Sequence, residues 1–251
     1  MKKNWREIIR ESDRENFVGR KDEINSFKYE LSNPPRKLIF FISGQGGVGK
    51  TALLNQFQEI ARELNYTIAE SDEQQTDVPK VLGKLSDSLK KNGIHLKRFS
   101  ERWEKYRESL KQIESDPDAP QGLASLIGRG IARTGFILLD GVPIARKGIE
   151  LIGQDAIESQ ASQWASYLAK KIANKDEVIL LQDPINTLSR IFFEELNEES
   201  QNHKVLLCFD NYEYTRDFLD NWIGNLPDYD VSQNIRMVIA GRTSQIGRAH
   251  V

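Results

Sequence analysis

Cysteine is almost missing from this chain of 251 residues: Cys208 stands alone. No intramolecular disulfide framework can exist, and the usage fits a reducing compartment. Cys208 lies inside the apolar run VLLCFD, where a buried and inert thiol is expected. Histidine is scarce as well, and neither His95 nor His203 has metal-ligand spacing to other residues. No charge sign prevails, since 35 basic and 37 acidic residues leave a formal net charge of −2. A global basic field that would draw nucleic acid is therefore excluded. Long hydrophobic runs are absent too. The nearest, TGFILLDGVPIA at 134–145, is interrupted by Asp140 and flanked by Arg133 and Arg146, short of the roughly 18 apolar residues of a spanning helix. The opening MKKNWREIIRESDRENF is charged throughout and has no apolar leader region. A soluble cytoplasmic protein is the simplest expectation, with neither a nucleic-acid nor a membrane signal.

What is present suffices for a substantial core: 39% of the residues are hydrophobic. FVGRKDEINSFKYEL places Phe17, Ile24, Phe27 and Leu31 at helical spacing, and Asn33-Pro34-Pro35 ends that helix. KLIFFIS (37–43) reads as a buried parallel strand bounded by Pro-Pro and glycine. Helical spacing follows at Leu53, Phe57, Ile60 and Leu64, then a second strand at NYTIAES (65–71). Residues Leu96, Phe99, Trp103, Tyr106, Leu110 and Ile113 form a heptad-like seam, read as a long helix packed on neighbours. After the turn-rich SDPDAPQG, glycines from Gly128 to Gly153 punctuate an apolar segment within 121–153. A packed helical hairpin is favoured there over a partner-binding or membrane-touching element. Asp183-Pro184 marks a helix start. VLLCFD (205–210) and IRMVIAGR (235–242) are two more buried-strand runs. The alternation predicts an α/β fold with a parallel sheet and a large all-helical insertion at about 76–182.

Between the first strand and its helix, Gly44-Gln45-Gly46-Gly47-Val48-Gly49-Lys50-Thr51 matches G-x-x-x-x-G-K-[ST] in full. Glycines let backbone N–H groups turn inward around phosphate oxygens, and the helix that Ala52 continues adds its positive end. Lys50 is expected to bridge the β- and γ-phosphates, and the Thr51 hydroxyl to ligate Mg²⁺. A second metal-holding acid belongs at the C-terminal end of a neighbouring strand, and Asp210 closes VLLCFD there. Its alternative is an ordinary strand-end cap. Asn211 follows, and Glu213 is the nearest carboxylate, a candidate base or else a structural turn acid. Arg242 closes the next strand, where it would stabilise or report γ-phosphate charge, or form a surface salt bridge.

Taken in order, these pieces resemble the STAND NTPases, signal-transduction ATPases related to AAA+, NACHT and NB-ARC proteins. Phe17-Val18-Gly19-Arg20-x-x-Glu23 resembles their GRxxE element, FDNYE (209–213) their metal-binding strand end, and VIAGR (238–242) their sensor strand. The resemblance implies an N-terminal segment (1–35) whose Val18, Gly19 and Arg20 lie against the adenine, followed by a P-loop NTPase domain (36–245). It implies ATP and ADP with Mg²⁺, ADP at rest, exchange to ATP on a signal, and ATP-dependent homo-oligomerisation or effector release reset by slow hydrolysis. It also implies a sheet order of the ASCE type in which a fifth strand flanks the phosphate-loop strand. That strand, a helical lid, a winged helix and sensor repeats are expected beyond Arg242, so the sheet is expected to be incomplete. Asn211 departs from the usual acidic pair and leaves hydrolysis open. A DNA-acting AAA+-like ATPase and a non-hydrolysing nucleotide-binding scaffold are the alternatives. The last six residues, Ile246 to Val251, can be encoded by one frame of a sequencing adapter, so 246–251, with His250, is expected to be a non-native tail.

Overall fold

The computed structural model describes residues 19–120, 163 and 166–242. Val18, the glycine-punctuated segment and the 246–251 tail lie outside the described residues. The described chain divides into two compact units. One comprises residues up to Gln74 with Asp87–His95 and everything from Leu196 onward; the other comprises Gln75–Ser86 and Leu96–Glu195.

The first unit is built on a four-stranded sheet. Its strands are β1 (Ile39–Ser43), β2 (Tyr66–Ser71), β3 (Lys204–Phe209) and β4 (Ile235–Gly241). They are ordered β1-β4-β3-β2 and every pairing is parallel. This is the α/β architecture of a P-loop NTPase. Continuous apolar sequence makes the central strands, because both sheet faces are covered: every residue of β4 is buried, and so is all of β3 after Lys204. One face carries Leu206, Cys208, Val238 and Ala240 into a cluster with Leu53, Phe57 and Ile60 of α2 (Lys50–Glu63) and Phe27 and Leu31 of α1 (Lys21–Ser32). There the Phe27 and Phe57 rings stack with centroids 3.9 Å apart. On the other face Phe209 meets Trp222 of α7 (Arg216–Gly224) edge to face. Helix α1 ends where the sequence predicts. Asn33 is extended, as a residue before proline must be, and its side-chain amide donates to the Tyr29 carbonyl at 2.7 Å.

Strand β1 pairs only with β4 among the described residues. Its outer edge is correspondingly more open, with Phe41 40% exposed. A groove lined by Phe27, Phe40, Phe41, Leu53 and Phe57 follows that edge; Lys50, Thr51 and Asp210 do not line it.

The second unit is helical. Its elements include α4 (Lys97–Ser115), α5 (Lys175–Gln182) and parts of α3 (Val78–Lys91) and α6 (Pro184–Glu199). The heptad seam is packing: Leu96, Phe99, Tyr106 and Ile113 are buried. Trp103 lies so close on Gly83 of α3 that a Cβ there would meet the indole at 2.6 Å. Helix α4 starts without a side-chain cap from its own flank. The buried Glu195 carboxylate supplies one instead, accepting the N–H groups of Arg98 at 3.1 Å and Phe99 at 2.9 Å.

Candidate functional site

The phosphate loop, Gly44 to Gly49, leaves β1 and turns directly into α2. Glycine is favoured at two of its positions. Gly49 holds φ 80° at the helix N-cap, and a Cβ on Gly44 would approach Val48 Cγ2 to 2.8 Å. Apart from Gly44 and Lys50, which are half-buried, Gln45 to Ala52 face solvent, as a binding loop should. Lys50 Nζ donates to the carbonyls of Gly44 and Gln45, each at 3.1 Å. The ammonium is thereby folded across the loop, where an arriving phosphate would offer it stronger, charge-assisted acceptors.

Across the loop, the Thr51 hydroxyl donates to Asp210 Oδ2 at 2.9 Å. The other carboxylate oxygen of Asp210 accepts the Asn211 N–H at 2.8 Å. Asp210 is thus oriented by its own turn and aimed at the first turn of α2. Among the described residues no group of three or more His, Cys, Asp or Glu could hold a metal unaided. A hydroxyl beside one carboxylate fits Mg²⁺, a hard ion that keeps water and phosphate oxygens in its shell and needs few protein ligands.

Arg242 and Glu213 come together at the next strand end. Arg242 Nε lies 3.0 Å from Glu213 Oε1, and the Arg242 N–H donates to Glu213 Oε2 at 3.2 Å. Glu213 is largely covered, with 17% side-chain exposure, whereas Arg242 keeps 57%. Gly241 packs tightly against this pair, since a Cβ there would lie 3.3 Å from Glu213 Oε2 and 3.0 Å from Tyr212 Cβ. The Arg242 guanidinium also reaches the loop, its Nη2 lying 3.8 Å from where a Gly46 Cβ would be. The sequence set a γ-phosphate role against a surface salt bridge; the salt bridge is formed, and its guanidinium lies beside the phosphate loop.

On the loop's other flank, Gly19 and Arg20 both hold positive φ, 98° and 52°. That turn brings Arg20 Nη2 to the Val48 carbonyl at 3.0 Å, with Glu23 at 4.0 Å from Arg20 Nη1. Arg20 thus ties the segment before β1 to the phosphate loop.

One polar contact was not visible in the sequence. Asn211, at φ 53°, turns its side-chain amide to Glu73 Oε2 at 2.8 Å. Glu73 follows the end of β2, and β2 is in register with β3 so that Ser71 pairs with Phe209. The signal in the sequence was the acidic ESDE at the end of a strand, but only the register says which strand end it faces.

Residues 21–109 match the Zeta toxin family, a P-loop kinase-like NTPase family. The match spans the phosphate loop and the first two strands, well under half of the chain, and begins after Gly19 and Arg20 of the GRxxE element. No curated protein matches the chain. Among the described residues no helix is long and apolar enough to cross a membrane. The parallel sheet, the loop between β1 and α2 and the matched segment converge on one statement: the chain has a P-loop NTPase fold with its nucleotide-binding loop in place.

Proposed function

We propose that this chain is an ATP-binding switch of the STAND kind, holding a magnesium nucleotide on the loop from Gly44 to Ala52 and hydrolysing ATP slowly. The observation that carries the nucleotide role is the Thr51–Asp210 contact at 2.9 Å. It joins residues from distant parts of the sequence at the position a Mg²⁺-phosphate would occupy. Lys50 supplies charge to the β- and γ-phosphates. Two contacts support a switch rather than a simple hydrolase. Arg20 links the GRxxE element to Val48 of the loop, so nucleotide-dependent movement of the loop reaches the N-terminal segment. Arg242 is paired to Glu213 while lying beside Gly46, so a γ-phosphate must compete with Glu213 for it. ATP and ADP then differ by one competing anion, the differential interaction any nucleotide switch requires.

Light scattering of the purified chain with Mg-ATP, with Mg-ADP and without nucleotide tests the switch. Self-association confined to Mg-ATP is expected, and one mass under all three conditions would contradict it. The Zeta toxin match favours a second reading, phosphoryl transfer to an acceptor hydroxyl. That reading predicts γ-phosphate label on a small molecule of a cell extract, where the switch predicts label only in inorganic phosphate.

A further inference from the structure

Glu213 engages Arg242 through both carboxylate oxygens, and Asn211 stands where a second acid would follow Asp210. The site nonetheless has another carboxylate. Parallel register sets the end of β2 beside the end of β3, and the Asp210 N–H extends the ladder by donating to the Ser71 carbonyl at 3.2 Å. The chain beyond Ser71 therefore leaves the sheet next to Asp210 and Asn211. Of the two acids there, Asp72 accepts the Gln74 N–H at 3.1 Å and closes its own turn. Glu73 projects to Asn211 and is exposed. A continuous polar chain results, Thr51 to Asp210, Asp210 to Asn211, Asn211 to Glu73, each contact between 2.8 and 2.9 Å.

We propose that Glu73 is the catalytic carboxylate of this site and that Asn211 is its positioning residue, the second acid having moved from the metal strand to the neighbouring one. The assignment rests on the ATP-hydrolysing reading of the loop. In the step it serves, a water oxygen bonds to the γ-phosphorus while the bond to the β–γ bridging oxygen breaks, leaving its electron pair on ADP. Glu73 orients that water, accepts its proton and returns it to the departing inorganic phosphate. Phosphoryl transfer of this kind asks chiefly for positioning, which an amide clamp on the carboxylate provides. The same hydrogen bond holds the Glu73 carboxyl below the usual glutamate range.

Single-turnover hydrolysis of Mg-ATP and equilibrium binding of a fluorescent ATP analogue test this on the wild type, Glu73→Gln, Glu213→Gln and Asn211→Ala. Glutamine at 73 can still accept from Asn211 and lies on the surface, so folding should be retained, which the thermal midpoint checks. The expected result is analogue binding within about threefold of wild type and hydrolysis slowed by about 10²-fold or more in Glu73→Gln. Asn211→Ala should slow turnover by about tenfold with binding unchanged, and Glu213→Gln less than Glu73→Gln. Glu73→Gln turning over within about threefold of wild type, or Glu213→Gln being the slower of the two, overturns the assignment and leaves the ATPase reading intact. A wild type that binds Mg-ATP without hydrolysing it overturns both.

Discussion

Arg236 and Arg242 belong to the same stretch of chain, one near the start of β4 and one just past its end, and their surroundings are opposite. Arg236 is 3% exposed, its Nε has no hydrogen-bond partner among the described residues, and burial pulls its guanidinium below the ordinary arginine range. Tyr66 and Glu30 are the groups it feels electrostatically. Arg242 is more than half exposed, held by a carboxylate on two sides, and turned toward a glycine of the phosphate loop. A parallel sheet makes this asymmetry general. Strand N-termini close into packed core, whereas strand C-termini open where helix N-termini gather and anions bind. Side chains at the first end are chosen by what they fill, and at the second by what they meet.

Substitutions at the two ends should therefore part stability from activity. The largest effect belongs to the packed side. Phe27→Ala removes the ring stacked on Phe57 and should destabilise by about 3–5 kcal/mol in urea unfolding, with nucleotide affinity of the folded fraction unchanged. Next comes Arg242→Ala. Turnover should fall by about 10²–10³-fold if the guanidinium stabilises the transition state, while unfolding stability moves by less than about 0.5 kcal/mol. If that substitution instead lowers stability and spares turnover, the two arginines are alike and the contrast fails. Arg236→Ala should cost about 1–3 kcal/mol through lost packing of its buried stem and leave turnover per folded molecule unaltered. Smallest is a chemical contrast within β3. Burial pushes the Cys208 thiol well above its usual range, so a thiol reagent at pH 8 should find it only after denaturation. Reaction in the native state would show the β3 face to be open.

The same contrast explains what could be read from sequence. Strands β1, β3 and β4 were visible because apolar runs bounded by glycine, proline or a terminal acid carry their own signal. Lys50 and Thr51 stood out as candidates because the phosphate loop is a local motif, and Asp210 because it closes a buried run, with an ordinary strand-end cap as the alternative. Glu73 was not visible, and neither were the contacts that close the site around Glu213, Arg242 and Arg20, although those three residues stood out as candidates. Glu73 meets Asn211 only through the β2–β3 register and a positive φ at Asn211. Glu213 meets Arg242 where the backbone of Gly241 passes close by, a Cβ there lying 3.3 Å from Glu213 Oε2. These depend on pairing between distant segments and on a close backbone approach at one position, neither of which periodicity records. The Val48 carbonyl that Arg20 binds is similarly a backbone group, invisible in residue identity.

If Lys50, Thr51 and Asp210 form one magnesium-nucleotide grip, calorimetric titration of ATP with and without Mg²⁺ will show it. The wild type should bind more tightly with Mg²⁺ present. Lys50→Ala should weaken binding about 10²-fold or more in either condition, and Thr51→Ala should abolish only the Mg²⁺-dependent gain. Equal affinity of wild type and Lys50→Ala, or no dependence of the wild type on Mg²⁺, would contradict it.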